Sequence, residues 1–161
     1  ETGRIFYGNQ YHLGQGSVVH SAPRMDDFAC YRNVPCHQVC FYDARLFAGR
    51  GYDTRYRVRA DYEHFLYCLY EKKARAVYMD LVVADYEGGG FSETRENVKI
   101  SAGEHKEITV RYLGTKKAWR YRMALLLTLA PLRTKIAQNQ KTAAIYNNAK
   151  AALYRLLAGK G

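Results

Sequence analysis

The chain has 161 residues, 48% apolar and 14% aromatic with 15 tyrosines, which excludes a disordered polypeptide and gives one domain enough material for a core. The formal charge is +10, yet residues 108–161 hold 11 of the 25 Lys and Arg and none of the 15 Asp and Glu, so a near-neutral body precedes a cationic tail. No apolar run reaches the ~20 residues that span a bilayer, and no signal-peptide-like run follows Glu1-Thr2-Gly3-Arg4.

Ile5-Phe6-Tyr7 predicts a short strand closed by a Gly8-Asn9 turn. Tyr11 to Val19, with Gly14 and Gly16, reads as a hairpin-like excursion. Pro23 to Phe28 reads as a loop in which Met25-Asp26-Asp27 is solvated turn acid. Gln38 to Tyr42 predicts a second strand, and Asp43 is placed to cap a short helix over 44–47 that Gly49 and Gly51 stop. Residues 61–73 carry the clearest helical pattern, because Tyr62, Phe65, Leu66, Leu69 and Tyr70 repeat at three- and four-residue spacing. Asp61 stands at the start of that helix, where a carboxylate complements the helix dipole. Ala76 to Tyr86 is the clearest strand and ends at Gly88-Gly89-Gly90. Residues 93–113 predict a helix with a weak point at Gly103; 116–130 and 138–157 predict basic amphipathic helices separated near Pro131. Strands interleaved with helices give an α/β class, but two or three strands are too few for a complete doubly wound sheet.

Three polar groups between Val34 and Ser92 exceed what packing requires: His37-Gln38 after Pro35, Asp61-Tyr62-Glu63 at a helix start, and the turn Gly88-Gly89-Gly90-Phe91-Ser92. Taken singly, each has a plainer use as a strand-end histidine, an N-cap aspartate or a tight turn. Cys36, His37 and Cys40 hint at zinc, but the spacing has no second pair, and buried apolar thiols are the preferred reading for Cys30, Cys36, Cys40 and Cys68. No metal ligand is assigned.

In order and spacing these groups resemble the second half of bacterial family-2 glycosyltransferases with a GT-A-type fold. The resemblance rests on Tyr7-Gly8-Asn9, on Pro35-Cys36-His37-Gln38 followed by Arg45-Leu46-Phe47, on Gly51-Tyr52-Asp53-Thr54-Arg55-Tyr56, on Ala60-Asp61-Tyr62-Glu63, and on the strand leading to Gly89-Gly90-Phe91-Ser92. It covers roughly residues 5–113. It implies that residues 1–113 are the acceptor-side part of a GT-A-type sheet lacking its N-terminal Rossmann-like half, and that 114–161 form a basic helical tail.

The resemblance also implies inverting sugar transfer from a nucleotide-diphospho-sugar to a saccharide or lipid-linked acceptor, in cell-surface polysaccharide synthesis. Asp61 matches the general base; His37, Gln38, Glu63, Gly89, Gly90 and Ser92 match the acceptor side. Relatives often carry Glu before the catalytic Asp, where this chain has Ala60. The divalent cation, Mg or Mn, that such enzymes use is held by an Asp-x-Asp motif, and none occurs here, so the chain is expected to start downstream of that motif and to bind neither donor nor metal alone. The tail is expected either to lie on an anionic membrane surface, with the protein cytoplasmic and peripheral on the inner face of the cell membrane, or to pack its Leu face back on the body as an ordinary core helix. A non-catalytic interaction domain and a nucleic-acid-binding module are the competing readings. The second draws on Trp119, Tyr121, Tyr146 and Tyr154 among the basic residues but has no nucleic-acid motif.

Overall fold

A computed structural model describes residues 2–128, 145–150 and 152. The elements run β1 (Arg4–His12), β2 (Ser17–Val19), α1 (Asp27–Arg32), a 3-10 turn (His37–Val39), β3 (Cys40–Tyr42), a 3-10 turn (Ala44–Phe47), α2 (Ala60–Tyr70), β4 (Arg75–Tyr86), a 3-10 turn (Phe91–Glu93), α3 (Arg95–Leu113) and α4 (Thr115–Leu127). The chain is thus α/β with a four-stranded mixed sheet.

β1 is the spine of that sheet. Along one edge it pairs antiparallel with β3 (Ile5 opposite Tyr42, Tyr7 opposite Cys40) and then with β2 (Gln10 opposite Val19, His12 opposite Ser17). Along the other it pairs parallel with β4, from Arg4 opposite Arg75 to His12 opposite Tyr86. Parallel neighbours need a long crossover, and α2 lies within it. Ile5 and Tyr7 point inward and are fully buried; Phe65, Leu66, Tyr62 and Cys68 from α2 and Ile108 from α3 complete the core with Ile5. Phe6 and its cross-strand partner Phe41 point the other way and are exposed, so that face of the sheet is uncovered there.

The expected Gly8-Asn9 turn is not a turn: both residues lie inside β1. The register shifts between Tyr7 and Asn9 and again between Asn9 and Gln10, with the extra residues on β4, so the strands bulge at this level. Gly8 is there because the bulge brings β4 close: a Cβ would sit 2.6 Å from Val83 Cγ2 and 2.7 Å from the Leu81 carbonyl oxygen. Asn9 is buried and bonded on both ends of its amide, donating to Asp80 Oδ1 at 3.3 Å and accepting from Ser21 N–H at 3.1 Å and Tyr78 O–H at 3.0 Å.

Asp26 is exposed, as expected, but both acids of the Asp26-Asp27 pair have structural partners. Asp26 caps α1, accepting from Ala29 N–H at 2.8 Å. Asp27 accepts from Tyr70 O–H at 2.7 Å and from Lys117 Nζ at 2.6 Å, and those bonds, Lys117 first, hold its carboxyl below the usual carboxylate range. It thereby ties α4 to α1 and α2.

Asp43 caps the 44–47 turn as expected, accepting from Arg45 N–H at 3.0 Å. α2 stops at Tyr70, three residues short of the expected end, because Lys73 adopts a left-handed φ of 57° and Ala74 N–H returns to Cys68 O at 2.9 Å. Gly103 does not interrupt α3. α4 divides its faces: Ala118, Tyr121 and Leu125 pack with Tyr31 and Leu113, while Trp119, Leu126 and Leu127 stay exposed. The described part of the second tail helix touches β2 and the residue after it, through Asn147 Nδ2 to Ser17 Oγ (3.2 Å) and Lys150 Nζ to His20 O (2.8 Å). The rest of the stretch expected over 138–157, and residues 129–130 of the helix before it, lie outside the described residues. No described helix is long and apolar enough to cross a membrane.

Candidate active site

The segment entering α2 is built to present a carboxylate. The backbone N–H groups of Arg57, Val58 and Arg59 all donate to the carboxylate of Glu104 on α3, at 2.7, 3.1 and 2.8 Å. Arg59 Nε donates to Ser101 O (3.1 Å) and Ser101 Oγ (2.8 Å). Three residues on, Tyr62 O–H donates to Cys30 O at 2.7 Å and pins the first turn to α1. Nothing in the sequence pattern marks Glu104: its partners lie 45 to 47 positions away.

Asp61 sits in that pinned first turn. Its Oδ1 accepts from Tyr62 N–H at 2.7 Å and its Oδ2 stands 3.2 Å from His37 Nδ1. The side chains of Asp61 and His37 are 40% and 59% exposed, so the pair faces solvent. His37 reaches it because the 3-10 turn His37–Val39 packs against β1 and β4, with Val39 N–H donating to Cys36 O and Cys40 N–H closing on His37 O. Residues 24 apart in sequence thus meet in one pair.

The negative charge of Asp61 is felt by its neighbours. Burial first, and the Asp61 charge second, push the Tyr52 phenol up. Burial pushes the Cys40 thiol up to about 12, with Asp61 adding to it, and Cys36 is raised by burial in the same way. These thiols are therefore protonated at neutral pH and are poor nucleophiles. All four cysteines are free, and among the described residues no three His, Cys, Asp or Glu side chains converge as a metal site would require.

The other expected site residues divide. Gln38 is exposed beside His37, with Cys36 Sγ 3.8 Å from its Oε1. Gly89, Gly90 and Ser92 are exposed on the turn after β4. Described contacts of that turn run elsewhere: a Cβ at Gly88 would lie 3.3 Å from His12 Cε1, Phe91 O accepts from Asn97 Nδ2 at 2.7 Å, and the Phe91 ring lies beneath the Arg57 guanidinium at 5.6 Å. The turn therefore borders the Arg57–Asp61 segment through Phe91, and no described hydrogen bond joins Ser92 to His37 or Asp61.

Glu63, expected at the acceptor, is 0% exposed. Two residues after Asp61 a helix has turned to its opposite side, so Glu63 faces the core. There it accepts from Arg50 and from Tyr112 O–H, with Arg111 Nη1 at 3.8 Å. Arg50 itself stacks over Tyr67 at 4.1 Å. His64, also fully buried, stacks on Phe47 at 4.4 Å, and burial lowers its pKa.

Seventy-two residues, 44% of the chain, are 42% identical to the PGL/p-HBAD biosynthesis glycosyltransferase of Mycobacterium bovis (strain BCG / Pasteur 1173P2) and to the protein of the same name in Mycobacterium tuberculosis (strain ATCC 25177 / H37Ra). The chain is related to glycosyltransferases. It spans little more than a quarter, 28%, of the length of these curated relatives. No family model matches the chain, and no solved structure matches it.

Proposed function

We propose that the chain is the acceptor-side part of an inverting glycosyltransferase of the family-2, GT-A type, with Asp61 as the general base. One observation carries the proposal: in a chain related to glycosyltransferases, a half-exposed carboxylate is held by Tyr62 N–H and His37 at the first turn of a helix. Both carboxylate oxygens keep a lone pair for an incoming hydroxyl.

In this reading the acceptor hydroxyl donates to Asp61. The carboxylate takes the proton while the acceptor oxygen bonds to the anomeric carbon and the bond to the nucleotide diphosphate breaks on the opposite face. The base works on an oxygen that becomes more acidic as it attacks, so a carboxylate is strong enough. His37 and Gln38 form one wall of the acceptor site, and the Gly88–Ser92 turn, with the left-handed φ of 84° at Gly88 and 71° at Gly89 that glycine allows, carries Gly89, Gly90 and Ser92 on a segment that closes against it. Glu63 is left out of the acceptor site, because its carboxylate is spent on Arg50 and Tyr112.

The nucleotide-diphospho-sugar and the Mg or Mn ion that would balance the departing diphosphate belong to the donor-binding half of the complete enzyme. The described residues offer the cation no donor set, so no step here passes through it. The acceptor is a saccharide or lipid-linked saccharide of the cell surface. Trp119, Leu126 and Leu127 are exposed on α4 beside Lys116 and Arg120, which supports a peripheral position on the cytoplasmic face of an anionic membrane.

The test is the stereochemistry of transfer. A polypeptide carrying this chain behind its donor-binding half is incubated with nucleotide sugars and saccharide acceptors, and the anomeric configuration of the product is read by proton NMR. Inversion is expected. Retention, or hydrolysis and transfer with none of the donors, overturns the proposal.

A further inference from the structure

The contact between His37 and Asp61 does more than place two polar side chains together. Asp61 Oδ1 is fixed by a backbone amide, but Oδ2 has one described partner, His37 Nδ1 at 3.2 Å. A carboxylate held at one oxygen still turns about its Cβ–Cγ bond; held at both, it does not. The backbone that carries the ring is fixed, since His37 opens a 3-10 turn whose first carbonyl accepts Cys40 N–H and which follows the buried Pro35. Nδ1 donates to a carboxylate only when it carries the proton, so the bond selects the Nδ1–H tautomer and leaves Nε2 as an acceptor on a ring that is 59% exposed. Among the described residues no group hydrogen-bonds Nε2.

We propose that His37 is the positioning residue of this site: its Nδ1–H fixes the orientation of the Asp61 carboxylate. The inference deepens the reading of Asp61 as general base and rests on it for its consequence in turnover, but the tautomer it requires can be measured without any substrate. His37 neither takes the acceptor proton nor touches the sugar bond in this account. What it contributes is a carboxylate already turned toward the acceptor, so its loss lowers the rate of the proton-transfer step more than it weakens acceptor binding.

Two measurements test it. The chain holds five histidines, so 15N-histidine labelling and long-range 1H–15N correlation at mildly alkaline pH resolve each ring, with His37 assigned by the signal that His37→Asn removes. His37 is expected as the Nδ1–H tautomer, and Asp61→Ala is expected to return it to the Nε2–H form that free histidine favours. An Nε2–H ring in the parent, or no change on Asp61→Ala, overturns the proposal whatever the enzyme's activity. The second measurement uses the transfer assay above. His37→Ala should lower kcat about tenfold, a larger factor than it raises acceptor KM, and His37→Asn, whose Nδ2–H stands at the same bond distance from the backbone as Nδ1–H, should recover most of the kcat. Equal losses in both variants, or a change confined to KM, overturn it. If Asp61→Asn is as active as the parent while the tautomer result holds, the general-base reading fails and the hydrogen bond stands.

Discussion

Replacing Glu63 by Gln tests whether this residue belongs to the core or to the acceptor site. Its carboxylate is fully buried and accepts from Arg50 and Tyr112, with Arg111 at 3.8 Å. Gln keeps the volume and one acceptor oxygen, which Tyr112 O–H can still use, but its NH2 group then faces the Arg50 guanidinium, donor against donor. Losing one partner of a buried pair costs ~3–5 kcal/mol, and the lower end applies here because Arg50 and Arg111 are 25% and 40% exposed and regain water. About 3 kcal/mol in a domain of this size lowers Tm by roughly 6–12 °C. Thermal melting followed by circular dichroism, with urea titration as a check, reads the effect. Below the melting transition, acceptor KM should match the parent's. An unchanged Tm together with a raised KM would refute the reasoning and return Glu63 to the acceptor site.

Gly8→Ala should destabilise by ~1–3 kcal/mol, because the new Cβ meets the Leu81 carbonyl oxygen at 2.7 Å and backbone cannot swing aside; a urea midpoint equal to the parent's would contradict the bulge. Asp27 has a depressed carboxyl, so its contribution to stability is present above the unfolded pKa of ~3.9 and is lost as pH falls through the lower folded value. Protection factors of the α4 amides, which divide out the intrinsic pH dependence of exchange, should fall over that acid range in the parent, while Asp27→Asn should be less protected at neutral pH and lose this acid dependence; a pH dependence equal in both would refute it. The tail should bind anionic but not neutral vesicles, more weakly as salt rises, and Trp119→Ala should weaken sedimentation with vesicles; binding to neutral vesicles alone, or none, removes the membrane from the account.

Much of the fold was legible because the signals were local. The valine-rich run of β4, the three-and-four spacing of α2 and the Asp43 cap each depend on residues within one turn or one strand, and each element formed close to its expected bounds. The failures share the opposite cause. Gly8-Asn9 has the composition of a turn, but its role is set by Asp80 and Leu81, more than 70 positions away. Asp27 looked solvated because its cation, Lys117, is 90 residues distant. Glu63 and Asp61 sit two positions apart in one motif, and only the helix rotation sends one carboxylate to Arg50 and the other to solvent. The pairing of His37 with Asp61 is the part of the candidate site that the structure brings together; the glycine turn meets its neighbourhood through Arg57 and Phe91 rather than through either residue.

The central claim is that Asp61 removes the acceptor proton. Asp61→Asn preserves the size of the side chain and its bond from Tyr62 N–H, removes the ability to take a proton, and turns an amide NH2 toward His37 Nδ1. In single-turnover transfer by the complete polypeptide, with Tm confirming an intact fold, the variant should be slower by ~10²-fold or more at saturating donor and acceptor. A rate within a few-fold of the parent would contradict the account.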